Sequence, residues 1–291
     1  MTILVTAASG HLGHLVIDAL LERGAAPSDI VAGARTVAKA QDLADRGVRV
    51  VPLDFTLPES ISAALDGVDS VLLVSSPDAG ARLAQHVNVI DAAKAAGVSK
   101  LVYTSIVKAD SSPFILAPDH KATEEAIAAS GVPAVILRNN WYTENYLADV
   151  AQASESGALA AHAGDATVAA AARVDFAEAA AVVLLEDGHV GQTYELTGDT
   201  AVSYAQVAAA IGEVTGREVG YVSLTREQLE AGLTAAGLDA GTVGFVAEMQ
   251  AGIARGDLSE VGPTLARLIG RPTTPFVDAL RAAVAAPAAT V

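Results

Sequence analysis

Through the first half of the chain, short β-branched runs alternate with alanine-rich stretches whose apolar positions recur three and four residues apart. The runs at 3–6, 30–33, 48–54, 70–75, 101–105 and 134–138 are predicted strands. The stretches at 11–23, 37–46, 58–65, 80–96 and 118–130 are predicted helices, each with one apolar face. The strands are apolar on both faces and therefore need cover on both sides, and a helix between each pair makes successive strands parallel. The predicted fold class is α/β: a doubly wound parallel sheet with right-handed crossovers.

Beyond Arg138 the rhythm changes. Residues 139–146 gather aromatic and amide groups that are scarce elsewhere, 164–172 are small and flexible in character, and 182–198 return to helix-then-strand. From Val202 onward the chain reads as helices punctuated by glycine, with prolines late. The expected organisation is a nucleotide-binding domain over 1–138, completed by segments within 165–200, and a smaller, mainly helical substrate-binding region over 139–291. The tail 282–291 is expected to fray.

Composition removes several alternatives. The 291 residues suffice for one large domain or two modest ones. With no cysteine, thiolate catalysis, iron–sulfur clusters and Cys-type zinc sites are excluded. A formal net charge of −16 repels nucleic acid and acidic membrane surfaces, so neither is an expected partner. No apolar run reaches the ~20 residues that span a bilayer. The opening Met1-Thr2-Ile3-Leu4-Val5-Thr6 carries no basic segment, so a cytoplasmic protein without a signal peptide is expected.

Between the first predicted strand and helix lies Thr6-Ala7-Ala8-Ser9-Gly10-His11-Leu12-Gly13. Small residues let the backbone approach a pyrophosphate, whose charge then sits on N–H groups at the positive end of the helix. Positions 7, 10 and 13 match the Gly-x-x-Gly-x-x-Gly spacing of short-chain dehydrogenase-like proteins, with Ala7 in place of the first glycine. Alanine there is strained only if φ must be positive. The plain alternative is an ordinary glycine-containing turn; its place in the first βα unit favours a dinucleotide. On the second strand, where NAD-binding folds carry an acid for the ribose hydroxyls, the chain reads Ala32-Gly33-Ala34-Arg35, with Lys39 one helical turn later. Arg35 can grip a 2′-phosphate through a charge-assisted fork, which makes NADPH the expected cofactor and Lys39 a second basic contact. The alternative for Arg35 is a helix start on a wet surface. Asp54 and Phe55 are expected to border the adenine, or else to form a plain turn.

These features join Ser75-Ser76, Gln85-His86-Val87-Asn88, Tyr103-Thr104-Ser105, Asp119-His120 with Thr123-Glu124, and Arg138-Asn139-Asn140-Trp141-Tyr142-Thr143-Glu144-Asn145-Tyr146. Together they resemble the NmrA-like atypical short-chain dehydrogenases, and among these the bacterial NAD(P)H:quinone oxidoreductase type, with triphenylmethane reductases as relatives. The likeness runs almost end to end and includes 194–198 and 268–274. It implies a Rossmann domain with a small C-terminal domain, NADPH in the cleft and a quinone as acceptor. It also implies that Ala7, Ala8, Ser9, Gly10, His11, Leu12, Arg35, Ser75, Ser76, Asn139, Asn140, Trp141, Tyr142, Thr143 and Glu144 line the cofactor. Arg173 resembles a family arginine that closes on it; the alternative is a salt bridge with Asp175 or another acid. For Trp141 and Tyr142 the alternative is core packing.

The wider superfamily uses a Tyr-x-x-x-Lys pair, but none of the six tyrosines has lysine four residues later. NmrA-like relatives carry lysine where His120 aligns, so His120 is expected either to donate a proton or only a hydrogen bond, with a purely structural histidine as the alternative. Tyr103 is the other catalytic candidate. Tyr103, His120, Asn140, Trp141, Tyr142 and Tyr146 are expected to form one acceptor slot. A quinone suits so sparse a site, because a hydroquinone anion is far less basic than an alkoxide. No Gly-x-Ser-x-Gly elbow is present, and His11 and His14 lack the companions of a metal motif, so no metal is expected. Two other readings stay open: a non-enzymatic dinucleotide sensor, and a reductase of dyes, imines or enones. The oligomeric state is also open, a homodimer included.

Overall fold

The computed structural model describes residues 1–78 and 80–286. In chain order the elements are β1 (Ile3–Val5), α1 (His11–Glu22), β2 (Ile30–Ala34), α2 (Gln41–Asp45), β3 (Arg49–Pro52), α3 (Pro58–Ala64), β4 (Ser70–Leu73), α4 (Arg82–Ala96), β5 (Lys100–Ile106), α5 (Ala117–Ser130) and β6 (Ala134–Asn139). There follow α6 (Leu147–Ser156), β7 (Ala158–Ala161), β8 (Thr167–Val168), α7 (Arg173–Leu185), β9 (Thr193–Leu196), β10 (Val202–Ser203), α8 (Tyr204–Thr215), β11 (Gly220–Ser223), α9 (Arg226–Ala235), α10 (Ala240–Ala254), α11 (Thr264–Ile269) and α12 (Phe276–Ala285). All six strands expected in the first half are present. The helix expected over 37–46 is a 3-10 turn, Val37–Ala40, followed by the short α2.

Seven strands form one sheet in the order β3-β2-β1-β4-β5-β6-β9, and every pairing is parallel. Side chains alternate along each strand, so each strand feeds two cores. Ile3, Val5, Ile30, Ala32 and Val102 pack with α1 and α7 through Val16, Ile17, Leu20, Phe176 and Val183. Leu4, Val31, Val71, Leu101 and Tyr103 pack with α3, α4 and α5 through Ile61, Val89, Ile90 and Ile127. The strand order reverses between β1 and β4. At such a switch point the loops leaving the strand ends diverge to opposite faces and open a crevice.

The second half leaves the sheet, returns and leaves again. Residues 173–196 come back as α7 and β9, the latter in register with β6 (Leu137 opposite Tyr194). The remainder builds a third core from Phe114, Tyr146, Val150, Tyr204, Val207, Ile253 and Leu280. This region is not purely helical: β7 pairs with β11 and β8 with β10 in two small ribbons. The expected frayed tail is helical through Ala285, because Leu280 is buried and anchors α12; residues 287–291 lie outside the described residues. Among the described residues, no helix is long and apolar enough to cross a membrane.

Candidate cofactor and active site

The loop after β1 opens the switch-point crevice. Ala7 has φ +50°, in the left-handed region where glycine is at ease and alanine is not. Its carbonyl accepts from the amide of Gly10 (2.9 Å), while the Ala8 amide donates to Gly33 across on β2 (2.9 Å). A Cβ on Gly13 would meet the Ala7 carbonyl oxygen at 2.5 Å, so only glycine lets α1 start this close to the strand. No side chain caps α1, leaving the first amide N–H groups of His11 and Leu12 directed out of the helix end.

Arg35 leaves the carboxyl end of β2 exposed, and Lys39 is exposed on the following turn. Among the described residues neither makes an ion pair. Asp54 lies close enough to Arg35 to feel its charge, but its Oδ1 is committed to the amide and hydroxyl of Thr56 (2.8 and 2.7 Å). Those hydrogen bonds, more than Arg35, hold its carboxyl below the usual range. Phe55 stands edge-on to His86 at 6.4 Å.

The six side chains expected in one slot fall into three environments. Tyr103 and His120 do meet, hydroxyl to Nδ1 at 2.8 Å, but on the α4–α5 side of the sheet and both buried. Burial pushes the Tyr103 hydroxyl well above its ordinary value and His120 down to about 3. A ring so held is neutral near pH 7, which favours the hydrogen-bonding or structural alternatives over proton donation by an imidazolium. Tyr142 lies on the other side, edge-on to Phe176 at 5.2 Å, with its hydroxyl accepting from Asn139 Nδ2 (3.2 Å). Trp141 packs edge-on against Phe114 (6.1 Å) at the rim of the C-terminal core. Tyr146 is inside that core against Tyr204 and Phe276, so it does not line the slot. Asn140 ties the two halves together, donating to the Leu258 carbonyl (3.1 Å) and accepting from the Trp141 amide (2.9 Å).

The carboxylate of Glu144, expected on the cofactor, instead takes the first amide of α7 at Arg173 with both oxygens (2.9 and 3.0 Å), where the helix dipole favours an anion. The Arg173 guanidinium lies 4.9 Å over the ring of Tyr142 and pairs with no acid among the described residues. Asp175, its alternative partner, is held by Arg271 and Thr274 (2.8 Å each). Ser76 uses its polar atoms within the protein; its hydroxyl donates to Gln85 (2.5 Å). The Ser75 amide donates to Thr104 (2.9 Å). Composition and spacing do not point to His86, Arg82 or Thr104; His86 and Thr104 stand in the motifs Gln85-His86-Val87-Asn88 and Tyr103-Thr104-Ser105, and no sequence signal marks Arg82.

A parallel sheet with a glycine turn at its switch point defines a dinucleotide-binding protein of the doubly wound class. The chain belongs to the NmrA-like family, whose pattern matches residues 1–252. It is 44% identical to quinone oxidoreductase 2 of Escherichia coli K12 over 96% of this chain and 97% of that one. The crystal structure of the E. coli NADPH-dependent quinone oxidoreductase complexed with NADPH superposes with a TM-score of 0.91, at 43% identity over 96% of this chain and 98% of that chain. Triphenylmethane reductase of Citrobacter sp., complexed with NADP(H), superposes with a TM-score of 0.90 at 36% identity, over 97% and 100% of the two chains.

The residues present fit such a cofactor. The cradle at Gly10 and Gly13 leaves no room for a Cβ at position 13, and two guanidinium groups, Arg35 and Arg173, are without acid partners among the described residues. At the end of β6, Asn139 Oδ1 and Thr143 Oγ1 are buried with no hydrogen-bond partner, an arrangement that costs roughly 1–3 kcal/mol each unless a ligand satisfies it.

Proposed function

We propose that the protein is an NADPH-dependent oxidoreductase that delivers hydride to a quinone or a similarly flat, conjugated acceptor. The observation that carries this reading is the 44% identity to the E. coli quinone oxidoreductase across almost the full length of both chains. Bound NADPH supplies the hydride. The amides at the start of α1 receive the pyrophosphate, Arg35 and Lys39 the 2′-phosphate, and Arg173 closes over the cofactor from the start of α7. Asn139 and Thr143 offer the polar atoms that the protein itself leaves unpaired. Neutral His120, oriented by Tyr103, contributes a hydrogen bond and no proton at neutral pH. The acceptor suits this, since its reduced oxygen is weakly basic and takes its proton from solvent. Water exclusion and ring-on-ring placement then supply most of the acceleration.

The test follows NADPH absorbance with a panel of benzoquinones and naphthoquinones. Oxidation dependent on the quinone is expected; tight NADPH binding with no turnover of any acceptor would leave the sensor reading. A triphenylmethane dye belongs in the panel because of the Citrobacter likeness. Arg35→Ala is expected to weaken NADPH roughly 10- to 100-fold while leaving NADH nearly unchanged. An equal loss for both nucleotides would remove Arg35 from the 2′-phosphate.

A further inference from the structure

Every backbone and side-chain polar atom of Ser76 is held by one helix. Its amide donates to His86 Nε2 (2.9 Å), its hydroxyl donates to Gln85 Oε1 (2.5 Å), and its carbonyl accepts from Arg82 Nε (2.8 Å). Residues 82, 85 and 86 share one face at the start of α4, three and four positions apart. Further along, Asn88 donates through Nδ2 to the carbonyl of Phe55 in the loop after β3 (2.9 Å). The two amides before Ser76 are also taken by side chains, Val74 by Thr6 (3.0 Å) and Ser75 by Thr104 (2.9 Å). Three successive N–H groups thus end on side chains from three separate parts of the chain, which fixes the backbone at Val74–Ser76.

His86 can serve only while neutral. Its Nε2 accepts, so Nδ1 carries the proton and donates to Thr123 Oγ1 (3.0 Å), whose hydroxyl donates in turn to the Asp119 carbonyl (3.1 Å). Full burial holds the ring uncharged, pushing it down to about 4. Arg82 closes the arrangement by pairing with Asp119 on α5 (2.9 Å).

The loop after β4 stands at the carboxyl end of a strand that flanks the switch-point crevice, and the loop after β3 at the same end of the sheet, on the edge strand beyond β2. We propose that Arg82, Gln85, His86 and Asn88 are positioning residues for the cofactor: from the first two turns of α4 they hold Ser76 and the Phe55 carbonyl in the binding arrangement before NADPH arrives. A loop already ordered costs nothing to order on binding, and that saving appears as affinity. The proposal rests on the site being an NADPH cleft.

The experiment titrates NADPH into the full chain and into His86→Leu, His86→Gln, Gln85→Ala and Asn88→Ala, following nicotinamide fluorescence, with kcat and KM against one active quinone. His86→Leu is expected to raise Kd and KM for NADPH about tenfold or more, with kcat changed much less. His86→Gln keeps an acceptor for the Ser76 amide and is expected to return both to within about threefold, a rescue that loss of packing alone would not give. Asn88→Ala, at a part-buried contact, is expected to raise Kd about fivefold. If His86→Leu does not fold, Gln85→Ala and Asn88→Ala decide by the same criterion. Folded variants with wild-type Kd and KM overturn the proposal. Wild-type protein that binds no NADPH overturns the functional reading beneath it.

Discussion

Ala7 occupies a left-handed conformation that costs a non-glycine residue ~1 kcal/mol or somewhat more, and it does so where short-chain dehydrogenase-like proteins place glycine. Ala7→Gly is therefore expected to raise stability by about 1 kcal/mol or less, after the entropy that glycine adds to the unfolded chain, read as a higher urea midpoint at constant slope. The buried histidines make an opposite kind of demand. His86 and His120 are held near 4 and 3 in the folded protein, below the ordinary value of 6.5. The unfolded chain thus binds protons that the folded chain refuses, and stability is lost as pH falls from about 6.5 toward those values. Each ring contributes up to about 1.4 kcal/mol per pH unit in that window. Urea midpoints between pH 7 and 4 are expected to fall less steeply in His120→Asn than in wild type; parallel slopes would show that this ring is not responsible.

The start of α7 is braced by two carboxylates. Glu144 takes its first amide, and the fully buried carboxylate of Asp175 holds Arg271 Nη2, the Thr274 amide (both 2.8 Å) and the Thr274 hydroxyl (2.9 Å). A segment nearly a hundred residues downstream is thereby clamped to the helix that packs beneath the cofactor crevice. Removing the carboxylate strands the two Thr274 donors and leaves Arg271 with Glu178 as its remaining carboxylate partner (2.5 Å), so Asp175→Ala is expected to cost about 2–4 kcal/mol, with Asp175→Asn costing less. Denaturant unfolding measures both, and an unchanged midpoint in Asp175→Ala would sink this account. At the other end of α7, the buried ammonium of Lys100 donates to the carbonyls of Val183 and Glu186 (2.8 Å each) and Leu184 (3.2 Å). The helix is thus pinned at both ends by groups distant in sequence.

Across the whole molecule, the sheet and the C-terminal core meet at the carboxyl ends of the strands, where Asn140 reaches Leu258 and Lys108 pairs with Glu260. A cofactor bound there contacts the folded state alone. NADPH at 100 times its Kd is expected to add about 2.7 kcal/mol and to raise Tm by roughly 4 °C, with a smaller rise from NADH at the same concentration. Circular dichroism melts would show it, and identical shifts for the two nucleotides would argue against the Arg35 assignment.

The strands, the helices between them and the phosphate turn were legible because each is local: period two or 3.6, a glycine spacing, an arginine where an acid is usual. The partners of the chemically interesting side chains were not, because a residue's neighbours in sequence do not say on which side of a sheet it will be buried. Tyr103 and Tyr142 stood in one predicted slot, yet strand alternation and the chain's turn after β6 send them to opposite faces; Tyr146 goes into a different core altogether. Sequence by itself determined the class of fold, the kind of cofactor turn and the family likeness. Only the tertiary structure decided that His120 is uncharged, that Asp175 belongs to Arg271 rather than Arg173, and that α4 grips Ser76. Each of those depends on burial and on contacts between segments far apart in the chain, which exist only once the sheet has brought them together.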